Sequence, residues 1–204
     1  MLEPRLDGDE VEYLKDFLSK KPEDSKMVEW GSGGSTLIFL PFFEKGQFIS
    51  IEHNDEWFDK VSTAITQQMW DDGVMANFTY CHIPPYYRGS VVNKAFYGYG
   101  VPYEENPCFA SRYINPELGG TRIWDADIYF VDGICRGAIL ATIRTLAEKK
   151  ARVYIEPEGV WQEQATVFIH DYYGPEQREP WYDWASTLYS RVEKVGNTLA
   201  RLYL

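Results

Sequence analysis

The segment that most constrains the fold runs from Met27 to Thr36, where a short apolar strand leads through three glycines into the start of a helix. The glycines are Gly31, Gly33 and Gly34. Glycine permits positive φ angles and a close approach of the backbone to a ligand, and a helix beyond the turn points unpaired N–H groups at that ligand. This order of elements predicts a nucleotide-like cofactor site in an α/β sheet. The alternative is an ordinary strand-to-helix turn.

A second buried strand follows and ends in an acid. Phe48 to Ile51 form the strand, and Glu52 lies about 20 residues beyond Gly31. An acid at this position can accept hydrogen bonds from both ribose hydroxyls of a bound nucleoside. The glycine spacing departs from the G-x-G-x-x-G fingerprint of dinucleotide sites, and the Gly-Lys-Ser/Thr of a phosphate-binding loop is missing.

The pattern E-x-G-x-G-G, from Glu29 to Gly34, resembles the first motif of the class I S-adenosylmethionine-dependent methyltransferases. Three further motifs are similar to those of small methyltransferase-like proteins, namely Ser50 to Trp57, Val131 to Arg136 and His170 to Tyr172. The resemblance covers nearly the whole chain. It implies S-adenosylmethionine as the cofactor, with its methionine part wrapped by the glycine turn and its ribose held by the acid after the second strand.

The cofactor-binding residues implied in this way are Glu29, Gly31, Ser32, Gly33, Ser35, Thr36, Glu52, His53, His82 and Asp132. Members of the family often carry an acid after the third strand, which binds the adenine amino group. Here Cys81-His82-Ile83-Pro84 stands in that place. The adenine contact is therefore expected from His82 or from backbone groups.

Alternating helical and strand patterns predict one domain, 1–204, with a Rossmann-like, doubly wound α/β sheet of seven strands. The sheet should be mostly parallel, with a C-terminal antiparallel hairpin at about 188–195 and 199–204. Pro41 falls inside the helix after the glycine turn, so that helix should be short or kinked. The fifth strand has two candidates, 153–156 and 166–170, and we choose the second because its H-D-Y ending matches the family.

The residues that end parallel strands should face one crevice. By family resemblance, Asp132 after the fourth strand reaches the transferred methyl group or a metal; alternatively it caps the following helix. His170 is the candidate general base, because imidazole titrates near neutral pH, and Asp171 would orient its ring. Asp132 and Asp171 could instead hold Mg²⁺ or Mn²⁺ together and so lower the pKa of a coordinated substrate hydroxyl.

A long connection at 84–124, rich in aromatic residues, predicts a substrate loop. Aromatic faces beside polar side chains suit a sugar ring, whose C–H face stacks while its hydroxyls form hydrogen bonds. The alternative is a satellite core beneath the loop, which is favoured for most of these residues individually. They are Tyr86, Tyr87, Phe96, Tyr97, Tyr99, Tyr103, Phe109, Tyr113 and Trp124.

Composition excludes several classes of function. A net charge of −11 with scattered basic residues disfavours nucleic acid as a partner. No apolar run approaches the roughly 20 residues of a membrane span, and three cysteines without a C-x-x-C pair favour a reduced, cytoplasmic protein.

These observations together predict an O-methyltransferase acting on a sugar or glycan hydroxyl, such as that of the deoxysugar rhamnose. A small phenol or other metabolite is the alternative acceptor. A non-catalytic cofactor-binding or assembly module is a second class of function. Similar domains occur within larger glycan-building proteins, including multidomain glycosyltransferases of large algal viruses, so the chain is also expected to suit a place in a larger protein.

Overall fold

The computed structural model describes residues 2–83, 111–116, 118–147, 153–155, 160–162, 165–173 and 180–204. Seven strands of this part form one sheet, in the order β3-β2-β1-β4-β7-β9-β8. They are β1 (Lys26–Trp30), β2 (Gln47–Glu52), β3 (Phe78–His82), β4 (Ile128–Val131), β7 (Thr166–Ile169), β8 (Arg191–Val195) and β9 (Leu199–Tyr203). The first five are parallel to one another, whereas β9 pairs antiparallel with both β7 and β8. The predicted seven-stranded, mostly parallel sheet with a terminal hairpin is confirmed.

The choice of the fifth strand is also confirmed. The segment Thr166–Ile169 is fully buried between β4 and β9 in the main sheet. The other candidate, β5 (Val153–Ile155), instead pairs antiparallel with β6 (Val160–Gln162) in a separate two-stranded sheet. His170 therefore follows the fifth strand of the main sheet.

Helices connect the strands and cover both faces of the sheet. They are α1 (Gly8–Ser19), α2 (Gly34–Phe39), α3 (Asp55–Asp71), α4 (Ser111–Ile114), α5 (Arg136–Leu146) and α6 (Pro180–Ser186). Helix α2 stops after six residues and continues as a single 3₁₀ turn that contains Pro41, as predicted. Asn54 caps α3, because its side chain accepts a hydrogen bond from the Trp57 backbone N–H at 2.9 Å.

Alternation along β1 divides the core into two layers. Val28 and Trp30 pack on one face with residues of α4 and α5, while Met27 packs on the other with residues of α1 and α2. Burying each such large apolar side chain contributes about 1.5–3 kcal/mol relative to leaving it exposed. Of the helices in the described ranges, none is long and apolar enough to cross a membrane.

Candidate active site

The predicted site residues meet at one edge of the sheet because their strands are parallel. Backbone hydrogen bonds link the strand ends in series: Gly31 N–H donates to Ile51, Asp132 N–H to Trp30, and His170 N–H to Val131, at 2.9, 2.8 and 3.1 Å. On the other side of β1, Glu52 and His82 are register partners. The sheet itself thus brings these strand ends together.

Two of the three glycines in the turn are required by the packing of the chain itself. Gly31 has φ +87, and a Cβ there would overlap the backbone of Asp132 and Gly133. A Cβ on Gly34 would overlap the backbone of Glu3 and Pro4. Both positions therefore exclude any larger residue, whether or not a ligand binds.

Gly33 differs from these two glycines. Its φ of 172 is extended backbone that any residue adopts, and the nearest atom to an added Cβ belongs to the Trp57 ring at 3.8 Å. Neither the backbone conformation nor the packing of the chain demands glycine here. The space that a Cβ would fill is left open at the carboxyl edge of the sheet, where a ligand can approach the backbone closely.

Glu29 lies beneath the turn and is fully buried. Its carboxylate accepts hydrogen bonds from the hydroxyls of Ser35, Thr36 and Ser50 at 2.8, 2.7 and 2.6 Å, and the Thr36 hydroxyl in turn accepts from the Gly33 N–H. Burial raises the pKa of Glu29 to about 8 despite these three donors. Glu29, Ser35 and Thr36, expected to bind the cofactor, bind one another and thereby fix the shape of the turn.

Glu52 ends β2 with a carboxylate that is only 2% exposed. One oxygen accepts from the backbone N–H and hydroxyl of Ser32 at 3.0 and 2.9 Å, and the other from the backbone N–H groups of His53 and Asn54 at 2.7 and 2.8 Å. Burial favours the protonated form, but the donors, with the neighbouring His53 ring, lower the pKa of Glu52. The group is therefore an anionic hydrogen-bond acceptor.

Two aromatic residues that the sequence reasoning did not place in the site hold Ser32. The Tyr80 hydroxyl lies 2.6 Å from the Ser32 hydroxyl, and the Trp57 indole N–H donates to the Ser32 carbonyl at 2.6 Å. Trp57 is the last residue of one of the family-like motifs, and that motif could have indicated it as a site residue. Tyr80 precedes His82 by two residues in β3, so strand alternation places both on one face.

His82 ends β3 beside an aromatic stack. Its Nε2 lies 2.8 Å from an Asp55 carboxylate oxygen, and its ring centroid is 5.1 Å from that of Phe58, which stacks on Tyr80 at 4.3 Å. These rings form a flat aromatic surface next to Glu52.

His170 and Asp132 form a side-chain pair on the β4 side of β1. His170 Nδ1 lies 2.8 Å from Asp132 Oδ1, and the His170 side chain is 1% exposed. Asp171, which was expected to orient this ring, lies farther away, with its nearest oxygen 3.6 Å from Nε2. Nor does Asp132 cap the next helix, because Cys135 occupies that position without a side-chain cap. With Nδ1 bound to Asp132, Nε2 has no hydrogen-bond partner among the described residues.

Arg136 contacts both His170 and Asp132. It was not identified as a site residue in the sequence analysis. Its guanidinium donates to the carbonyls of Gly133 and His170 at 2.9 and 2.5 Å and to a carboxylate oxygen of Asp171 at 3.1 Å. It also lies 3.2 Å from the Asp132 carboxylate. Asp171 has φ 56, an uncommon backbone conformation that its contact with Arg136 helps to stabilise. The V-D-G-x-x-R motif, which ends at Arg136, could have indicated this residue.

Charges around His170 alter its basicity. Burial disfavours the charged imidazolium, but the hydrogen bond and charge of Asp132, with the charge of Asp171, outweigh burial and raise the pKa of His170. A histidine whose Nε2 forms no hydrogen bond with the described residues and whose pKa is raised is a strong proton acceptor for its type.

The same residues could also hold a metal ion. One ligand atom each from Asp132, His170 and Asp171 lies within 4.8 Å of the others. Arg136 Nη2 already contacts carboxylate oxygens of both aspartates, at 3.2 and 3.1 Å. An ion would therefore have to share these carboxylates with the guanidinium.

Most of the predicted substrate loop lies outside the described residues, including Tyr86, Tyr87, Phe96, Tyr97, Tyr99, Tyr103 and Phe109. Tyr113 and Trp124 are described. Trp124 stacks on Trp30 with ring centroids 5.8 Å apart, and Tyr113 is fully buried with its carbonyl accepting from the Trp30 indole at 2.9 Å. Both pack on the core.

Three solved structures have this fold over 98% of the chain. A methyltransferase-like protein from Silicibacter pomeroyi has a TM-score of 0.63 at 16% identity, with 87% of its own chain covered. A candidate caffeoyl-CoA O-methyltransferase from Staphylococcus aureus has a TM-score of 0.54 at 12% identity, with 85% covered. A SAM-dependent O-methyltransferase from Thermotoga maritima has 0.53 at 10% identity, with 66% covered.

No protein family model matches the chain, and no curated protein matches it in sequence. At 10–16% identity the similarity establishes the fold, which is the Rossmann-like fold of these methyltransferases. A fold hosts several chemistries, so the activity has to be argued from the site.

Proposed function

We propose that this chain is an S-adenosylmethionine-dependent O-methyltransferase whose acceptor is a sugar hydroxyl. The observation that carries the proposal is the His170–Asp132 pair, which leaves His170 Nε2 without a hydrogen-bond partner among the described residues. This pair lies at the same sheet edge as the glycine turn and Glu52. A base and a cofactor cradle side by side are the two parts that methyl transfer to oxygen needs.

The residues of the cradle fit the cofactor. Gly33 leaves space that neither the backbone nor packing requires, and Glu52 is an anionic acceptor suited to a ribose diol. S-Adenosylmethionine, when bound, would supply a methyl group that a nucleophilic oxygen can attack, with the neutral thioether S-adenosylhomocysteine as the leaving group.

His170 would act as the general base. Asp132 accepts the Nδ1–H and so selects the tautomer whose lone pair is on Nε2. That nitrogen takes the proton of the acceptor hydroxyl as its oxygen becomes the nucleophile. Arg136 donates hydrogen bonds to carbonyls in the turns after β4 and β7, which holds the side chains of Asp132 and His170 in place.

A divalent ion is the second way in which the cluster could activate a hydroxyl. Asp132, His170 and Asp171 would hold it, and it would lower the pKa of a coordinated hydroxyl. Because the set includes an imidazole, Mn²⁺ fits it better than Mg²⁺, which prefers oxygen ligands alone.

The sugar acceptor is supported by the aromatic composition of 84–124 and by the net charge of −11, which disfavours strongly anionic acceptors. A small phenol is the second candidate, supported by the fold shared with the candidate caffeoyl-CoA O-methyltransferase. The same interpretation makes three further predictions. They are a deoxysugar acceptor such as rhamnose, a place in a larger glycan-building protein and a cytoplasmic location.

Calorimetric titration with S-adenosylhomocysteine tests the cofactor. The wild-type chain should bind it, and Glu52→Gln should weaken binding about 10- to 100-fold, because a hydrogen bond to a charged acceptor is lost. Glu56→Gln, the same change at an exposed position four residues away, is the matched control and should bind like the wild type. A wild-type chain that does not bind contradicts the proposal and favours a non-catalytic module.

Methyl transfer to a panel of deoxysugars and phenols tests the acceptor. Release of S-adenosylhomocysteine should occur with a sugar, and activity should survive EDTA if His170 alone is the base. Loss of activity in EDTA, with recovery in Mn²⁺, would assign hydroxyl activation to the metal. Turnover of phenols alone would replace the sugar with the second candidate.

A further inference from the structure

The Tyr113 hydroxyl is a buried polar group without a partner in the described part of the chain. Its residue is 0% exposed, and the oxygen forms no hydrogen bond. Buried hydroxyls are nearly always paired, and a phenylalanine would fill the same volume without leaving a donor unsatisfied. The Thr166 hydroxyl is likewise buried without a partner among the described residues, but it lies at the amino end of β7, whereas the Tyr113 hydroxyl lies at the carboxyl edge, beside the candidate site.

The position of this hydroxyl is fixed from several sides. A Cβ on Gly133 would overlap the Tyr113 oxygen, and that same Cβ would lie 3.2 Å from the Gly31 backbone nitrogen. The ring meets the His53 ring edge to face at 5.4 Å, and the Trp30 indole holds the Tyr113 carbonyl at 2.9 Å. The hydroxyl thus lies where the turn after β1 meets the turn after β4.

Its surroundings keep the phenol protonated. Burial, followed by the negative charges of Glu52 and Asp132, raises the pKa of Tyr113 well above its ordinary value. The hydroxyl therefore remains a hydrogen-bond donor at neutral pH, and neither carboxylate is its partner. It needs an acceptor that the described residues do not supply.

We propose that the Tyr113 hydroxyl donates a hydrogen bond to the carboxylate of the amino-acid portion of the bound cofactor. This assignment rests on the proposed function. With the ribose at Glu52 on the β2 side, the β4 side receives the other end of the cofactor. At that end the ammonium and the sulfonium cannot accept a hydrogen bond, whereas the carboxylate can, and a charged acceptor strengthens the bond.

Two isosteric variants test this assignment. Tyr113→Phe removes the hydroxyl alone, and Thr166→Val removes another buried hydroxyl without a partner, at the opposite, amino end of β7. Each protein is titrated with S-adenosylhomocysteine and with 5′-methylthioadenosine, which has the same nucleoside but no amino-acid portion. Thermal unfolding without ligand is measured alongside.

We expect Tyr113→Phe to weaken binding of S-adenosylhomocysteine about 3- to 10-fold, the usual value of one hydrogen bond. Its affinity for methylthioadenosine and its Tm should not fall, because no hydrogen bond of the free protein is lost. Thr166→Val should bind both ligands like the wild type.

Unchanged affinity of Tyr113→Phe for S-adenosylhomocysteine would overturn the assignment. Equal weakening for both ligands would also overturn it, by moving the contact to the nucleoside or, with a lower Tm, to the stability of the fold. A wild-type chain that binds neither ligand overturns the proposed function and this assignment together, which separates that failure from the other two.

Discussion

The two sides of the carboxyl edge hold their acids in different ways. In the cradle, formed by Ser32, Glu52 and the glycine turn, Glu52 is bound mainly by backbone N–H groups and a hydroxyl. In the charged cluster, formed by Asp132, Arg136, His170 and Asp171, the acids are bound by ionisable side chains. Backbone donors are fixed in position, whereas the contacts of the cluster depend on proton or metal occupancy. The first arrangement suits binding, and the second suits chemistry.

The glycines of the cradle offer the largest expected contrast. Gly31→Ala should destabilise the fold by about 3 kcal/mol or more, because the new Cβ overlaps the backbone of the next strand end at a positive φ. Gly33→Ala should change stability by less than about 1 kcal/mol, since the chain leaves room for its Cβ. It should nevertheless lose affinity for S-adenosylhomocysteine. Denaturant unfolding and calorimetry measure the two effects.

These paired variants also test whether the open space serves a ligand. If Gly33→Ala binds S-adenosylhomocysteine as tightly as the wild type, the space is not part of the cofactor site. A large loss of stability in Gly33→Ala would instead show that glycine is required by the fold there, as at Gly31.

Removing the base should affect rate and not binding. His170→Gln should lower kcat about 10²- to 10⁴-fold, the usual contribution of a general base, and leave affinity for S-adenosylhomocysteine unchanged. Steady-state kinetics with the preferred acceptor measure the first effect and calorimetry the second. Retention of full kcat would exclude His170 as the base.

Within the charged cluster, the two aspartates should differ. Asp132→Asn should lower kcat about 10²-fold, because the hydrogen bond that selects the tautomer of His170 is altered. Asp171→Asn should lower it less than about 10-fold, because Arg136 still holds three backbone carbonyls. A larger loss in Asp171→Asn, reversed by added Mn²⁺, would favour the metal arrangement.

The sequence predicted the sheet well because the signals are local and repeated. Apolar strands, the glycine turn, the Asn54 cap and Pro41 each specify one element, and parallel topology then places the ends of the strands together. The side-chain pairings could not be predicted in this way. Whether Asp132 or Asp171 meets His170 depends on the φ of 56 at Asp171 and on the reach of Arg136, and neither follows from spacing alone.

The roles of the glycine-turn acids show the same limit. Glu29 and Glu52 both lie in short strands beside the turn, and the family resemblance assigned both to the cofactor. Their positions in the sheet separate them, since Glu29 lies within β1 and is enclosed by hydroxyls, whereas Glu52 ends β2. The surroundings of each acid depend on how the strands assemble into the sheet, so they could not be predicted from the motif.

The last comparison concerns pH dependence and Glu29, which lies beneath the cradle with its pKa raised to about 8. The folded state holds this proton up to that pH, whereas the unfolded state releases it near 4.5. Between these values unfolding releases a proton, so the stability of the wild type should fall as pH rises. Glu29→Gln, which mimics the protonated group, should lack this contribution.

Denaturant unfolding between pH 4.5 and 8 measures the difference between the two proteins. The wild type should lose stability relative to Glu29→Gln as pH rises through this window, and Glu56→Gln, at an exposed position, should follow the wild type. Parallel curves for Glu29→Gln and the wild type would mean that Glu29 is ionised in the fold. The cradle would then rest on a buried charge, and its contrast with the charged cluster would be lost.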